Sequence, residues 1–340
     1  MASESLQGFA IGRLVGGRYR LLGRLDGGSM GSVYEAADTK LAGKVVALKV
    51  MHRSLAGDTE VVKLLRQRFE EEARLSAILG SHPRIIQVTD YGIEGPQPYL
   101  VMEFLKGRSL KEVLAHGPMA PGRAVRLAVQ LCDGLQHAHA AQATVEDRTI
   151  RGIIHRDIKP GNLFLIEDES LGETVKILDF GIAKANSDIS LALGTQAGFV
   201  GTSGYASPEQ LRGEAIDARS DIYSLGVVLY QMLTGQMPLK PKTETFAGWY
   251  HAHNYTTPTG FQAHRLPYML PPALAAVVLS CLEKDPAHRP QSMQMLGMQL
   301  QWAMGWLPRE EISQPLLPRD VFIGGAIALL ALVGFLYLLS

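Results

Sequence analysis

Residues 155–162, His-Arg-Asp-Ile-Lys-Pro-Gly-Asn, set an imidazole, a carboxylate, an amide and two cations on eight consecutive positions. An Asp179-Phe180-Gly181 turn follows a hairpin's length downstream, past the apolar runs LFLI (163–166) and VKIL (175–178). A loop this dense in opposite charges suits a cleft. There, hard oxygen donors would hold Mg²⁺ and a triphosphate while a carboxylate removes a proton from an incoming hydroxyl.

The patterning on either side divides the chain in two. From Tyr19 to Val50 three strand-like runs, YRLLGRL, SVYEAAD and KVVALKV, are separated by Gly-rich or polar turns. A helical stretch over roughly 59–79 follows, then IIQVTDYG (85–92) and PYLVMEF (98–104), and the pattern changes at Lys106-Gly107-Arg108. Beyond it the chain turns helical. Ser109-Leu110-Lys111-Glu112 has capping-box spacing. The segment 121–141 puts Ala124, Leu127, Ala128, Leu131, Leu135 and Ala138 at three- and four-residue steps, which predicts a buried amphipathic helix. LFLI and VKIL flank a polar turn and read as a hairpin, and IYSLGVVLYQML (222–233) is apolar enough to run through the centre of a second lobe. The expected fold is α+β and bilobal. A small sheet lobe with one helix covers about 19–105, a larger, mainly helical lobe covers about 106–303, and 1–18 form a lead-in.

Composition excludes several classes. With 33 basic against 33 acidic residues the formal charge is zero, which argues against a nucleic-acid binder. The two cysteines, Cys132 and Cys281, form no C-x-x-C and have no His cluster nearby, so neither a disulfide scaffold nor a zinc site is expected. Ser3, Glu4, Arg13 and Arg18 interrupt any apolar run at the start before it reaches signal-peptide length. The end differs: Val321–Leu339 is 19 residues without a charge or amide. As a helix it spans roughly 28 Å, close to the hydrocarbon thickness of a bilayer. A buried core helix is the alternative, though such a helix normally shows a polar residue or two. Residues 304–320, with Pro308, Pro315 and Pro318, read as a linker, and Arg319 fits a cytoplasmic flank. Only Ser340 follows, so the expectation is a tail anchor with everything else on its N-terminal side.

Leu25-Asp26-Gly27-Gly28-Ser29-Met30-Gly31-Ser32-Val33 lies between the first two strands. A glycine-rich hairpin there would let backbone N–H groups approach phosphates with no Cβ in the way, although a plain hairpin reads the same. Weight comes from Val46-Ala47-Leu48-Lys49 one strand later. Inside the run VVALKV an unpaired Lys49 ammonium would be costly, so it needs a partner. Leu65, Phe69, Glu72 and Leu79 share helical spacing, which puts Glu72 on the apolar stripe. Lys49–Glu72 is the expected pair, with Lys49 holding the α- and β-phosphates; a rim position for Glu72 is the alternative.

Taken in order, the Gly-rich loop, VALK, HRDIKPGN, DFG, GTSGYASPEQ, DIYSLGVVLY and DPAHRP resemble the Hanks-type protein kinases, most of all the bacterial membrane Ser/Thr kinases. The likeness covers roughly 19–303. It implies ATP and Mg²⁺ (or Mn²⁺) as cofactors and protein Ser/Thr hydroxyls as substrates. It implies that Asp157 accepts the hydroxyl proton or orients the nucleophile, that Lys159 neutralises the transferred phosphoryl, and that Asn162 and Asp179 bind the metal. Met102 resembles the gatekeeper, with Glu103 to Leu105 offering backbone groups to adenine and Ala47 and Phe164 sandwiching the ring. By the same likeness Glu209 pairs with Arg289 and Asp221 braces the catalytic loop. Arg156 is expected to await a phosphate on the activation segment, where Ser187, Ser190 and Thr195 are candidates and Thr195 is favoured.

Three departures stand out. Asp26 takes the place of the first glycine of G-x-G-x-x-G, where a carboxylate beside the nucleotide would weaken ATP binding or alter the loop. Twelve residues, AAQATVEDRTIR (140–151), lengthen the join before the catalytic loop and read as a surface bulge. Receptor-like bacterial relatives commonly carry an external sensor beyond their span. None follows here, so input is expected from the cytoplasm, the bilayer or self-association. Gly324 and Ala328 have small-xxx-small spacing, thin support for a homodimer. The competing function is a membrane-anchored pseudokinase acting as a nucleotide-binding scaffold. Retention of Lys49, Glu72, Asp157, Asn162 and Asp179 argues against it.

Overall fold

In Lys44–Met51 the side chains alternate between two buried environments. Val46, Leu48 and Val50 join Tyr34, Ala36, Tyr99 and Val101 in one apolar cluster, while Ala47 turns to a second cluster with Ile86 and Met102. A strand buried on both faces must read as a continuous apolar run, which is why VVALKV shows no alternation of its own. The computed structural model describes residues 9–27, 31–51, 70, 73–95, 97–145, 148–168, 172–180 and 203–306.

The first lobe is a six-stranded antiparallel sheet of β1 (Leu14–Val15), β2 (Tyr19–Gly27), β3 (Gly31–Asp38), β4 (Lys44–Met51), β5 (Val88–Glu94) and β6 (Gln97–Glu103), in the order β1-β2-β3-β4-β6-β5. Two differences from expectation have local causes. Leu14 and Val15 of the lead-in pair with Arg20 and Tyr19 and add a strand at the edge. Ile85–Gln87 do not extend β5, because their backbone is engaged elsewhere: Ile86 N–H donates to Ile177 C=O at 3.0 Å, and Ile177 N–H to Arg84 C=O at 2.8 Å. Residues 73–79 are helical (α1), and Leu79 and Ile85 are buried in the core of the other lobe.

The second lobe opens with β7 (Gly107–Ser109) and α2 (Leu110–Leu114). Its capping box forms as the sequence predicts, with Ser109 Oγ accepting the Glu112 N–H and Glu112 reaching back to the Ser109 N–H. In α3 (Pro121–Ala140) all six residues of the predicted stripe are buried. The insertion is a hairpin, β8 (Gln142–Val145) against β9 (Arg148–Arg151), closed by Gly152 N–H to Ala141 C=O at 2.9 Å. β10 (Leu163–Asp168) and β11 (Gly172–Ile177) form the second expected hairpin, with β7 on its edge.

The remaining helices are α4 (Pro208–Arg212), α5 (Ala218–Thr234), α6 (Phe246–Tyr255), α7 (Pro272–Cys281) and α8 (Met293–Ala303). α5 is buried along nearly its whole length, as its apolar run requires. Gly226 lets α7 approach it: a Cβ there would stand 2.5 Å from the Cys281 Cβ. Among the described residues no helix is long and apolar enough to cross a membrane, and the expected span 321–339 lies outside them.

Candidate active site

The loop 155–162 is held from below by a buried carboxylate. Asp221, in the first turn of α5, accepts the His155 N–H at 2.8 Å and the Arg156 N–H at 2.9 Å through its two oxygens. His139 Nε2, in the last turn of α3, donates to it at 2.7 Å. Burial pushes the Asp221 carboxyl up, but the His139 hydrogen bond and charge and the loop N–H groups outweigh it, leaving it below the ordinary range. Arg156 has φ 68, a left-handed conformation costly for a side chain with a Cβ. Both its backbone groups are engaged, since its C=O also accepts Gln210 Nε2–H at 2.9 Å.

Above that brace the functional groups face one another. His155 Nδ1 accepts the Asp157 N–H at 3.2 Å and Nε2 lies 2.8 Å from Leu178 C=O, so the Nε2–H tautomer satisfies both. Asp157 Oδ2 accepts from Lys159 Nζ at 2.7 Å and from Asn162 Nδ2 at 2.9 Å. Its other oxygen, Oδ1, is buried and has no hydrogen-bond partner among the described residues. A carboxylate oxygen left so in a buried site costs about 1–3 kcal/mol unless something else fills the position. Leu178 N–H donates to Asn162 C=O at 2.9 Å, which fixes the loop 155–162 beside Asp179.

Across the cleft Lys49 Nζ meets Asp179 Oδ1 at 2.6 Å. Burial raises the Asp179 carboxyl, and the Lys49 charge and hydrogen bond more than offset this, with a net downward shift. Asp179 also has a left-handed backbone, φ 58, and Phe180 next to it packs edge-on against His155 with ring centroids 4.6 Å apart. Glu72, the partner expected for Lys49, lies outside the described residues, as do Gly28, Ser29 and Met30 of the Gly-rich loop and the candidates Ser187, Ser190 and Thr195. Leu25, Asp26 and Gly27 end β2, and Gly31, Ser32 and Val33 begin β3, which pairs with β4.

Residues 19–301 match the protein kinase domain family. The chain belongs to it. Among curated relatives, the kinase is 44% identical over 286 residues to serine/threonine-protein kinase A of Synechocystis, covering 84% of this chain and 53% of that protein. It is 38% identical over 280 residues to PknB of Mycobacterium tuberculosis, covering 81% of this chain and 41% of that one. With these and pkn2 of Myxococcus xanthus (40% identity, 83% of this chain and 32% of the relative), the family is that of the Hanks-type Ser/Thr kinases. The chain spans about half or less of the length of these relatives. The PknI kinase domain of M. tuberculosis shares the fold, with a TM-score of 0.64 at 24% identity over 88% of this chain and 100% of that one.

Ala47, Met102 and Ile86 form a small apolar cluster, with Val33, Val88, Phe104, Leu105 and Leu178 packed against it. Phe164, on β10 opposite Lys176, is half-buried and does not belong to this cluster. Glu103 ends β6, where its side chain accepts from Lys176 Nζ at 2.6 Å and from the Gln87 N–H at 2.9 Å. This ion pair across the join of the lobes, the His139 contact and the Gln210 support are absent from the sequence reading. Only Gln210 leaves a visible signal, the S-x-x-Q capping box over 207–210 that the structure forms. The Glu209–Arg289 pair is present, buried and bidentate, at 2.7 and 2.9 Å.

Proposed function

We propose that the chain transfers the γ-phosphoryl group of ATP to Ser and Thr hydroxyls of proteins, from the cytoplasmic side of a bacterial cell membrane. The observation that carries the catalytic part is the buried Asp157 Oδ1, without a partner among the described residues, on a carboxylate held by Lys159 and Asn162, together with a Lys49–Asp179 pair that joins the lobes. A substrate hydroxyl donating to that oxygen would satisfy it and be aligned to lose its proton. Lys159, on the other Asp157 oxygen, offsets charge as the phosphoryl moves. Lys49 turns to the α- and β-phosphates, the adenine lies by Ala47 and Phe164, and backbone groups of Glu103 and Leu105 hold its edge.

The residues present fit a hard divalent cation, Mg²⁺ or Mn²⁺. Asn162 commits its NH₂ to Asp157, which leaves its amide oxygen as the ligating atom, and Asp179 adds a carboxylate held ionised by Lys49. When bound, the cation neutralises phosphate charge. Phosphorylation of the activation segment, Thr195 first, would supply an anion for Arg156. The apolar stretch 321–339 supports a single-pass anchor with the kinase domain on the cytoplasmic side, where ATP is.

Labelling of a generic basic protein and of the chain itself with γ-labelled ATP tests the reading. Asp157→Asn should lower both by at least about a hundredfold. Equal labelling by wild type and variant would remove catalysis by this site and return the scaffold alternative. Mass spectrometry should find the active protein phosphorylated between Asp179 and Glu209, and deletion of 321–339 should move it from the membrane fraction to the supernatant.

A further inference from the structure

The glycine-rich turn carries a carboxylate where its pattern asks for a glycine, and the sheet register fixes which way that carboxylate faces. β2–β3 pairing sets Asp26 opposite Val33, and β3–β4 pairing sets Val33 opposite Lys49. Residues opposite one another project from the same face of a sheet. Val33 confirms which face this is, since it packs on the Ala47–Met102 cluster. Asp26 therefore shares the cleft face with the lysine that meets Asp179, two strand spacings or about 10 Å away. The phosphates of a nucleotide held by Lys49 must lie within that gap.

The carboxylate already occupies a phosphate-binding donor. Asp26 Oδ1 accepts the Gly27 N–H at 2.7 Å, the kind of backbone N–H that a glycine-rich turn offers to a phosphate oxygen. Arg24 lies over Gly27, its Nη2 2.0 Å from where a Cβ would stand. Asp26 is nonetheless exposed, and among the described residues no cation forms an ion pair with it. Arg24 over Gly27 is a nearby cation but makes no ion pair with it, so the carboxylate is left to act on the cleft face.

We propose that Asp26 is an internal competitor for the nucleotide's phosphates, an affinity-determining residue that weakens ATP binding and makes it depend on a divalent cation. The proposal rests on the nucleotide-binding reading above. It follows from two effects of one group: the carboxylate takes up a backbone donor, and it repels the triphosphate. Metal-free ATP carries more negative charge than its Mg²⁺ complex, so the repulsive part is larger without metal. A nucleotide whose phosphates are neutralised by the cation at Asn162 and Asp179 is the form this loop tolerates.

The test measures binding directly. A fluorescent ATP analogue is titrated into the full chain in detergent, with Mg²⁺ and separately with EDTA, for wild type, Asp26→Gly and Asp26→Asn. Asp26→Asn keeps an oxygen for the Gly27 N–H and removes the charge; Asp26→Gly removes both. Asp26→Gly should bind about fivefold to tenfold more tightly with Mg²⁺, and its advantage should widen in EDTA and shrink at high salt. Asp26→Asn should recover the charge-dependent share. Binding by both variants that equals or falls below wild type overturns the proposal, as does a gain indifferent to metal and salt, which a merely structural role would give. If wild type binds and the variants fail in this way, the nucleotide reading stands and only the role of Asp26 falls. No saturable binding by any of the three proteins removes both.

Discussion

Arg289 has five guanidinium N–H groups, and the fold gives every one an acceptor. Nη1 and Nη2 donate to the two Glu209 oxygens at 2.7 and 2.9 Å, and the rest reach the carbonyls of Arg219, Glu283 and Lys284. Both side chains are buried, and Ser220 Oγ adds a third donor to the carboxylate at 2.6 Å. Burial alone would raise the Glu209 carboxyl. Arg289, through hydrogen bonding and charge, with Ser220, reverses this and brings it from 4.5 to about 2. That difference corresponds to at most about 3 kcal/mol of stability. The sign follows from the depressed value: the contribution is complete above about pH 4.5 and is lost as pH falls toward 2. Independently, deleting one partner of a buried pair costs about 3–5 kcal/mol, because the other charge stays buried and unpaired. Glu209→Gln should therefore lower the thermal midpoint by roughly 6–15 °C, followed by circular dichroism at pH 7. Near pH 2, to the extent that wild type still folds, the gap should close. Glu209→Leu with Arg289→Met should recover most of the loss, since an apolar replacement of the whole pair removes the orphaned charge. A single variant melting within about 1 °C of wild type would refute this, and would mean that water or backbone rearrangement solvates Arg289 at no cost.

Asp221→Asn places an NH₂ among three donors that need acceptors, and should lower kcat by about 30–100-fold with little change in the KM for ATP; steady-state kinetics check the split. Gly226→Ala drives a Cβ to 2.5 Å from that of Cys281 and should cost about 1–3 kcal/mol in urea unfolding, with activity retained below the transition. Lys176→Met leaves Glu103 without its 2.6 Å cation at the join of the lobes and should raise the KM for ATP about threefold to tenfold while kcat moves little; an unchanged KM would show that the pair does not position the hinge.

What the sequence made legible was whatever depends on faces and spacing. Strand-like runs bounded by Gly-rich or polar turns located β2 to β4, and three- and four-residue steps located α3. Family likeness supplied long-range partners that periodicity cannot, including Glu209 with Arg289 and Asp221 with the loop. Elsewhere periodicity names a face without naming what meets it. His139 reads as the last polar residue of an amphipathic helix, yet its ring is buried against Asp221, 82 residues away. Lys176 sits within the run VKIL, which gives no sign of its partner Glu103, 73 residues away. The insertion 140–151 shows the opposite limit. Its Thr and Val content suits strands, but its residues show no apolar alternation, and the β8–β9 ladder and the Gly152 N–H bond to Ala141 C=O close the hairpin.

The strength of each contact between the lobes decides what sets their arrangement. Lys49–Asp179 is the obvious candidate, but the pair is partly buried, and the cost of desolvating two charges offsets much of their attraction. The backbone between α1 and β5 does more. Arg84 and Ile86 exchange main-chain hydrogen bonds with Ile177, His137 Nε2 donates to Leu79 C=O at 2.8 Å, and Leu79 and Ile85 are buried among the residues of the second lobe's core. Burying two such side chains stabilises by about 1.5–3 kcal/mol each. Gly134 permits the approach, for a Cβ there would stand 2.9 Å from both Arg84 Cβ and Ile177 Cδ1. Asp179 lies two residues beyond Ile177, so its strained backbone is positioned by the same ladder that docks the end of α1. The Lys49–Asp179 ion pair therefore responds to the lobe arrangement instead of creating it, and a substitution at Arg84 or Gly134 reaches the Asp179 carboxylate without touching Lys49.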